Sequence, residues 1–366
     1  MAKRDSNRNL SFPLAWLGIL GGLFIVLRTL LPVAPPRPAA EEDAGDAVRL
    51  MTRALDALRE ARAAAGLAID ERTDLNLTGL IGREASPTTT SLGHLEAKRT
   101  AANPALAGAV VRMLHEAGVG RGDAIAVGAS SSFPGLVVAT LCAAQAMGAR
   151  ALPIVSLGAS NWGANDPRWT GLDIVESLNK SGVLDVPIIA ASIGGEGDMG
   201  LDMAPEGRAL LRRRIEEWGG EFLAAGDLTA EVAVRIRLFE SWAAGAPIKA
   251  FVNVGGSWVD MGTDSEVLKL RPGFNPAADV SIPPVARRGL IQAWAAKGVP
   301  VVHLLFVRGL CERYGIPWDP MPFASPASAE ASGGGRTSRL KAALAGFFVV
   351  VSVAGLIWIG RRRRIG

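Results

Sequence analysis

Cysteine and histidine are nearly missing from this chain, with two of the first and three of the second in 366 residues. Two cysteines make neither a disulfide framework nor a structural zinc site. Cys142 and Cys311, each set among apolar neighbours, read instead as buried free thiols. The histidines have no metal-ligand spacing: His94 and Glu96 in SLGHLEAKRT, with Glu84 nearby, find no second pair at the interval a metal needs. The phosphate-binding glycine motifs are absent too. GASSSFPG (128–135) lacks the GK[ST] ending of a P-loop and is not GxGxxG, so neither a nucleotide nor another cofactor is expected. Excess charge is small. The formal net charge is +4, part of it in the run RRRR at 361–364, which leaves no broad basic surface for nucleic acid.

What is present is a chain 49% hydrophobic and 20% charged with 43 glycines, the composition of an ordered α/β protein. Two apolar runs stand at its ends. FPLAWLGILGGLFIVLRTLLPV (12–33) is long enough to cross a hydrocarbon layer of about 30 Å, with Arg28 snorkelling to one face. AALAGFFVVVSVAGLIWIG (342–360) carries no charge and ends directly in Arg361 to Arg364. Lysine and arginine beside a span stay cytoplasmic, so Lys3, Arg4 and Arg8 at one end and the four arginines at the other put both termini inside a bacterial plasma membrane. The alternative for the first run is a cleaved signal peptide with Ala39 and Ala40 near the cut, although its apolar stretch exceeds the usual signal core. Either way the centre is exported. The expected order is a cytoplasmic N-terminus (1–11), a transmembrane helix (12–33), a proline-rich linker (34–46), an extracytoplasmic α/β domain (47–323), a low-complexity linker (324–341), a second transmembrane helix (342–360) and a basic cytoplasmic tail (361–366).

Inside the domain, Val48, Met51, Leu55 and Leu58 recur at helical spacing, and Asn103 with Pro104 opens a helix that Gly118 can stop. An α/β rhythm follows. DAIAVG (123–128), ALPIVSL (151–157), VPIIAAS (186–192), KAFVNVG (249–255) and VPVVHLLF predict strands. PGLVVATLCAAQAM (134–147), PEGRALLRRRIEEW (205–218) and LTAEVAVRIRLFESWAA (228–244) predict the helices between them. Continuous apolar strands are covered on both faces, so the spacing predicts a doubly wound, mostly parallel sheet with helices on both faces, flanked by the two transmembrane helices.

Ligands of such sheets bind beyond the carboxyl ends of the strands. Four loops rich in glycine and serine follow those ends, and they nominate Ser130, Ser131, Ser132, Ser156, Asn161, Gly194, Gly195, Glu196, Asp198, Gly255, Gly256 and Ser257 as ligand-binding residues. The three consecutive serines admit other roles. They can cap the helix that follows. Alternatively Ser130, Asp260 and His303, in that chain order, can form a hydrolase triad, although Ser132 breaks the G-x-S-x-G elbow and His303 lies inside an apolar strand. Glu196 and Asp198 can act as an acid and base pair or as plain turn residues.

The runs GREASPTTTSLGHLEAKRTAANP (82–104), GDAIAVGASSSFPGLVVATL (122–141), SLGASNWGAND (156–166) and ASIGGEGDMGLD (191–202) together resemble the poly-gamma-glutamate system protein family, a membrane-associated component of bacterial poly-gamma-glutamate capsule synthesis. The resemblance covers roughly residues 70–260. It implies a membrane-tethered accessory protein that binds the nascent polyanion or scaffolds the synthase complex, with the other synthesis proteins and the polymer as partners. It also leaves room for an extracytoplasmic hydrolase or transferase acting on gamma-glutamyl bonds. Arg83, Lys98 and Arg99 are then the expected partners of the polymer's carboxylates. The flanking charges generate a topological prediction. Protease added to cells stripped of their outer barrier is expected to digest the central region and spare a tag placed after Arg364; digestion of the tag with the centre intact would reverse the orientation.

Overall fold

Strands that are apolar without alternation need cover on both faces, and here they have it. The computed structural model describes residues 21–22 and 38–324; apart from Gly21 and Gly22, the two apolar runs at 12–33 and 342–360 lie outside the described residues. Among the described residues no helix is long and apolar enough to cross a membrane. Residues 38–326 form one unit around a seven-stranded mixed sheet.

The chain opens with α1 (Pro38–Ala64), α2 (Leu95–Ala101) and α3 (Ala105–Glu116). It then alternates through β1 (Ala124–Ser130), α4 (Pro134–Ala146), β2 (Arg150–Ser156), α5 (Gly171–Lys180), β3 (Ala190–Ser192), α6 (Pro205–Trp218), β4 (Phe222–Leu223), α7 (Leu228–Ala243) and β5 (Ile248–Val254). A single helical turn, α8 (Trp258–Met261), precedes β6 (Gly273–Asn275), α9 (Leu290–Ala296), β7 (Val301–Leu304) and α10 (Val307–Tyr314). The strand order is β4-β3-β2-β1-β5-β7-β6, parallel throughout except where β6 runs antiparallel to β7. From β1 the chain builds outward to β4 and then returns to the other side of β1 with β5. The β1/β5 boundary is therefore the place where the strand order reverses.

Side chains alternate between two cores. Ile125, Val127 and Ala129 of β1 face a core shared with α1, α3, α4, α5, α6 and α10, whereas Ala124 and Ala126 face one shared with α7, α8 and α9. The first core is thicker because α1 forms an outer layer over α3 and α4, with Met51, Leu55 and Leu58 buried on this unit. Cys142 and Cys311 are buried free thiols, and burial pushes them up to about 12 and about 11.

Three element boundaries differ from the sequence expectation, each for a local reason. α1 begins at Pro38, inside the segment read as an extended stem, because proline is tolerated in a first helical turn and Glu41 to Asp43 lie where the helix dipole favours anions. VPIIAAS yields only the short β3, because Asn179 takes both the amide and the carbonyl of Val186 at 3.1 and 2.8 Å and holds it out of the ladder. β1 runs two residues beyond DAIAVG, so that Ser130 is its last residue and faces the same side as Gly128.

The loop over 82–93 is sewn to the loop after β2 by Asn165. Its Oδ1 accepts from the Arg83 amide at 2.8 Å, and its Nδ2 donates to Arg83 O and Thr89 Oγ1 at 2.9 Å. On the other side, Gly207 of α6 lies so close to Pro87 that a Cβ there would run into the Pro87 carbonyl. Gly207→Ala is accordingly expected to lower the stability of a 38–326 fragment by about 1–3 kcal/mol in urea unfolding, and an unchanged midpoint would show that this loop is free to move off the helix.

Candidate functional site

A row of three serines crosses the carboxyl edge of the sheet. Ser130 of β1 is in register with Ser156 of β2, and Ser156 with Ser192 of β3, so all three project to one face. Ser130 and Ser156 form the floor of a cleft of about 640 Å³, of the size that takes a small ligand, while Ser192 is fully buried. Its walls come from Thr90 and Ser91, from Ser132, from Gly195 and Glu196, and from the segment Gly256 to Ser265. The cleft lies at the β1/β5 reversal, where open α/β sheets place their ligands.

Beneath the floor is a buried ionic cluster. Ser192 Oγ lies 3.4 Å from Ser156 Oγ and donates to Asp198 Oδ1 at 2.9 Å; Asp198 Oδ2 accepts from Arg235 Nη2 at 2.5 Å, and Arg235 also pairs with Glu231 one turn away on α7. Asp198, Glu231 and Arg235 are each no more than 3% exposed. Burial raises the Asp198 carboxyl, and the Arg235 guanidinium beside it opposes that rise. For Arg235 itself, desolvation pulls the guanidinium down, and its carboxylate neighbours outweigh that and hold it above its ordinary value. Asp260 completes the group from α8, lying against Gly128, where any Cβ would displace its carboxylate. Desolvation lifts Asp260 to about 7 despite Arg235 and the Ser257 hydroxyl.

Seven of the twelve residues nominated from sequence line the cleft: Ser130, Ser132, Ser156, Gly195, Glu196, Gly256 and Ser257. The other five serve the frame. Ser131 turns to the opposite face, and its Oγ lies against Gly171, which has no room for a side chain. Asn161 ties loops together, accepting from the Gly93 amide at 3.0 Å and donating to the Glu84 carbonyl. Gly194 and Gly255 adopt φ of 75° and 80° that let the chain turn beside Ser156 and Ser130. Asp198, which stands at φ 58° itself, belongs to the ionic cluster rather than to an exposed acid and base pair with Glu196.

The other serine roles also resolve into geometry. None of the three caps α4: Phe133 occupies the cap position with no side-chain hydrogen bond, because β1 runs to Ser130 and Pro134 already fills the first turn. Hydrogen bonding does not join Ser130, Asp260 and His303. Ser130 Oγ accepts from the Ser132 amide at 3.3 Å, the Asp260 amide donates to Ser257 Oγ, and His303 Nδ1 pairs with Asn253 Nδ2 at 2.9 Å. Burial lowers His303 to about 4. Nor do the three expected cations face the cleft: Arg83 pairs with Asp166, Arg99 with Asp319, and Lys98 is buried behind Ser132. Two of the cleft's own acids are engaged as well, Asp202 with the Glu196 amide at 2.8 Å and Asp264 with Arg287 at 3.2 Å. Glu196 is left as an exposed rim carboxylate.

The sequence reading missed Thr90, Ser91, Trp258, Thr263, Ser265 and Leu268. Thr90 and Ser91 lie within PTTTS, far from any strand end in sequence, and reach the cleft through the Thr90 amide bonding Ala159 O at 2.9 Å.

The Asp260 shift has a direction that can be measured. Its folded-state value is raised above the unfolded one of about 4, so the stability it contributes is fully present below pH 4, falls as pH rises toward 7 and is lost above it. Asp260→Asn is expected to flatten the stability profile of the 38–326 fragment between pH 4 and 7 and to stabilise it at pH 8 by about 2–4 kcal/mol. A variant as pH-dependent as the parent would place the buried proton elsewhere.

Set against known proteins, the chain matches no family model, no curated protein and no solved structure, and what it does has to be read from the cleft and from the segments that build it.

Proposed function

We propose that this chain is a membrane-tethered accessory component of bacterial poly-gamma-glutamate synthesis or export, with its α/β domain outside the plasma membrane and its cleft engaging the polymer. The pathway rests on the resemblance of the loop segments between residues 82 and 202, and the tether on the terminal apolar runs with their basic flanks. The observation that carries the binding role is the in-register row of Ser130, Ser156 and Ser192 under a cleft of about 640 Å³ at the β1/β5 reversal.

The lining argues for which part of the polymer is held. A site for a run of carboxylates would be rich in arginine and lysine, and no basic side chain is among the residues lining the described cleft. Serine and threonine hydroxyls, glycine backbone and the apolar faces of Trp258, Met261 and Leu305 suit an amide-linked main chain. In this reading the hydroxyls take the amide groups of one or two gamma-glutamyl units, and the polymer's carboxylates stay in water, clear of Glu196.

Gly256 offers a way to test the reading, because a Cβ there meets only Leu305, at 3.9 Å, so a large side chain can enter the cleft without displacing backbone. Calorimetric titration of the detergent-solubilised full chain with short gamma-glutamyl oligomers is expected to show binding that weakens at least about tenfold in Gly256→Trp, a loss of about 1.4 kcal/mol, at an unchanged unfolding midpoint. No binding by the parent, or equal binding by the plugged variant, would remove the cleft from this role.

A further inference from the structure

A buried lysine lies beside the cleft wall. Lys98 of α2 is 3% exposed, and no carboxylate pairs with it among the described residues, although its neighbour Arg99 has Asp319. Its Nζ contacts the Ser132 carbonyl, lies 2.7 Å from Ser160 Oγ and sits 3.7 Å from the centre of the Phe133 ring. Gly93 packs over it so tightly that a Cβ would press on Lys98 Cε and Ser160 Oγ, which keeps this corner closed.

Proton accounting favours the neutral amine. An amine has two hydrogens and one lone pair, and the surroundings offer two acceptors, the Ser132 carbonyl and the Phe133 π face, and one hydroxyl donor, Ser160. An ammonium would leave a full buried charge without an anion, an arrangement far costlier than the neutral form. Burial accordingly lowers Lys98 to about 7.

The lysine is next to the cleft. Ser132 is half-buried and lines the wall, and its Oγ accepts from the Ser160 amide at 3.0 Å. Ser160 thus touches Ser132 through its backbone and Lys98 through its side chain.

We propose that Ser132, Ser160 and Lys98 act as nucleophile, relay and base on the cleft wall, and that the substrate is an amide or ester carbonyl seated in the cleft. When the substrate seats, Ser132 Oγ turns from the Ser160 amide, 3.0 Å away, to the Ser160 hydroxyl; as it bonds to the carbonyl carbon its proton passes to Ser160 Oγ, and the Ser160 proton passes to Lys98 Nζ. When the bond to the leaving nitrogen or oxygen breaks, the ammonium returns a proton along the same path to that leaving group, and Ser132 stays acylated. Water or an acceptor amine then attacks the acyl carbon and gives its proton to Lys98 by way of Ser160, and Ser132 recovers its proton as the ester bond breaks. Lys98 is able to serve because it starts uncharged, as nucleophile-activating lysines do. With gamma-glutamyl chains as the ligand, the reaction is cleavage or transfer at the gamma-glutamyl amide, a step that rests on the binding role given above to the cleft.

The test uses a probe that needs no polymer recognition. The detergent-solubilised full chain is exposed to an alkyl fluorophosphonate, which phosphonylates an activated serine with loss of fluoride, and the adduct is located by peptide mass spectrometry. A single adduct on Ser132 is expected, formed at a rate that rises with pH through a midpoint near 7. Lys98→Met is expected to slow labelling about 100-fold or more, the usual contribution of a general base. Ser160→Ala is expected to slow it as well while leaving the unfolding midpoint near the parent's, so the idea stays testable if Lys98→Met fails to fold. An absence of adduct on the folded chain, an adduct only at another residue, or a Ser132 rate indifferent to pH and to both substitutions would overturn the proposal. Oligomer binding that persists in Ser132→Ala separates a failure of this chemistry from a failure of the binding role.

Discussion

A guanidinium buried at the end of a sheet has to be surrounded by anions, and the arrangement around Arg235 follows from that need. Asp198 and Glu231 take its two ends, while Asp260 adds to its field from α8. Removing Asp198 or Glu231, which pair with Arg235 directly, would leave its buried charge short of a partner, which is why clusters of this kind fix geometry more than they add stability. Arg235 lies on α7, Asp198 on the turn after β3 and Asp260 on the turn after β5, so one guanidinium sets the separation of three segments that meet only beyond the sheet. Ser192 is oriented by Asp198, and Ser156 adjoins Ser192. The floor of the cleft is thus an extension of the ionic cluster into the sheet edge.

The glycines of this edge are explained by what they adjoin. Gly128 interrupts β1 in the row of Asn253 and His303 because the Asp260 carboxylate lies over it. Gly171 yields space to Ser131, and Gly163 to the backbone of Ser131 and Ser132. The serine turn is compressed from two sides, which fixes the backbone of Ser132 at the cleft wall and its carbonyl on Lys98.

How much of this was legible in the chain depends on the range of the interaction. The alternation of strands and helices could be read, because apolar runs such as AFVNV and amphipathic repeats are local and carry their own period. The convergence of the glycine and serine loops could be read too, since a parallel sheet puts strand ends on one edge. Which serine faces the cleft could not, because that depends on where β1 stops, and two extra residues of ladder decide the side on which Ser130 and Ser131 emerge. Asp198 read as an exposed turn residue because its partner Arg235 is 37 positions away, inside a helix whose pattern shows only an amphipathic face. The same limit hid Lys98: a lysine between Ala97 and Arg99 has the look of a solvated residue, and its burial comes from Gly93, Phe133 and Ser160, which the fold alone brings together.

The serine row has a consequence for divergence. Each of its members is the terminal residue of a strand, so its side chain can change without altering the hydrophobic layers behind it. Ser192 is constrained by its bond to Asp198, but Ser130 and Ser156 line the cleft. Descendants of such a scaffold would exchange those two positions for threonine, asparagine or alanine and alter what the floor recognises while keeping the same skeleton, as a keyboard is relabelled without rebuilding its springs.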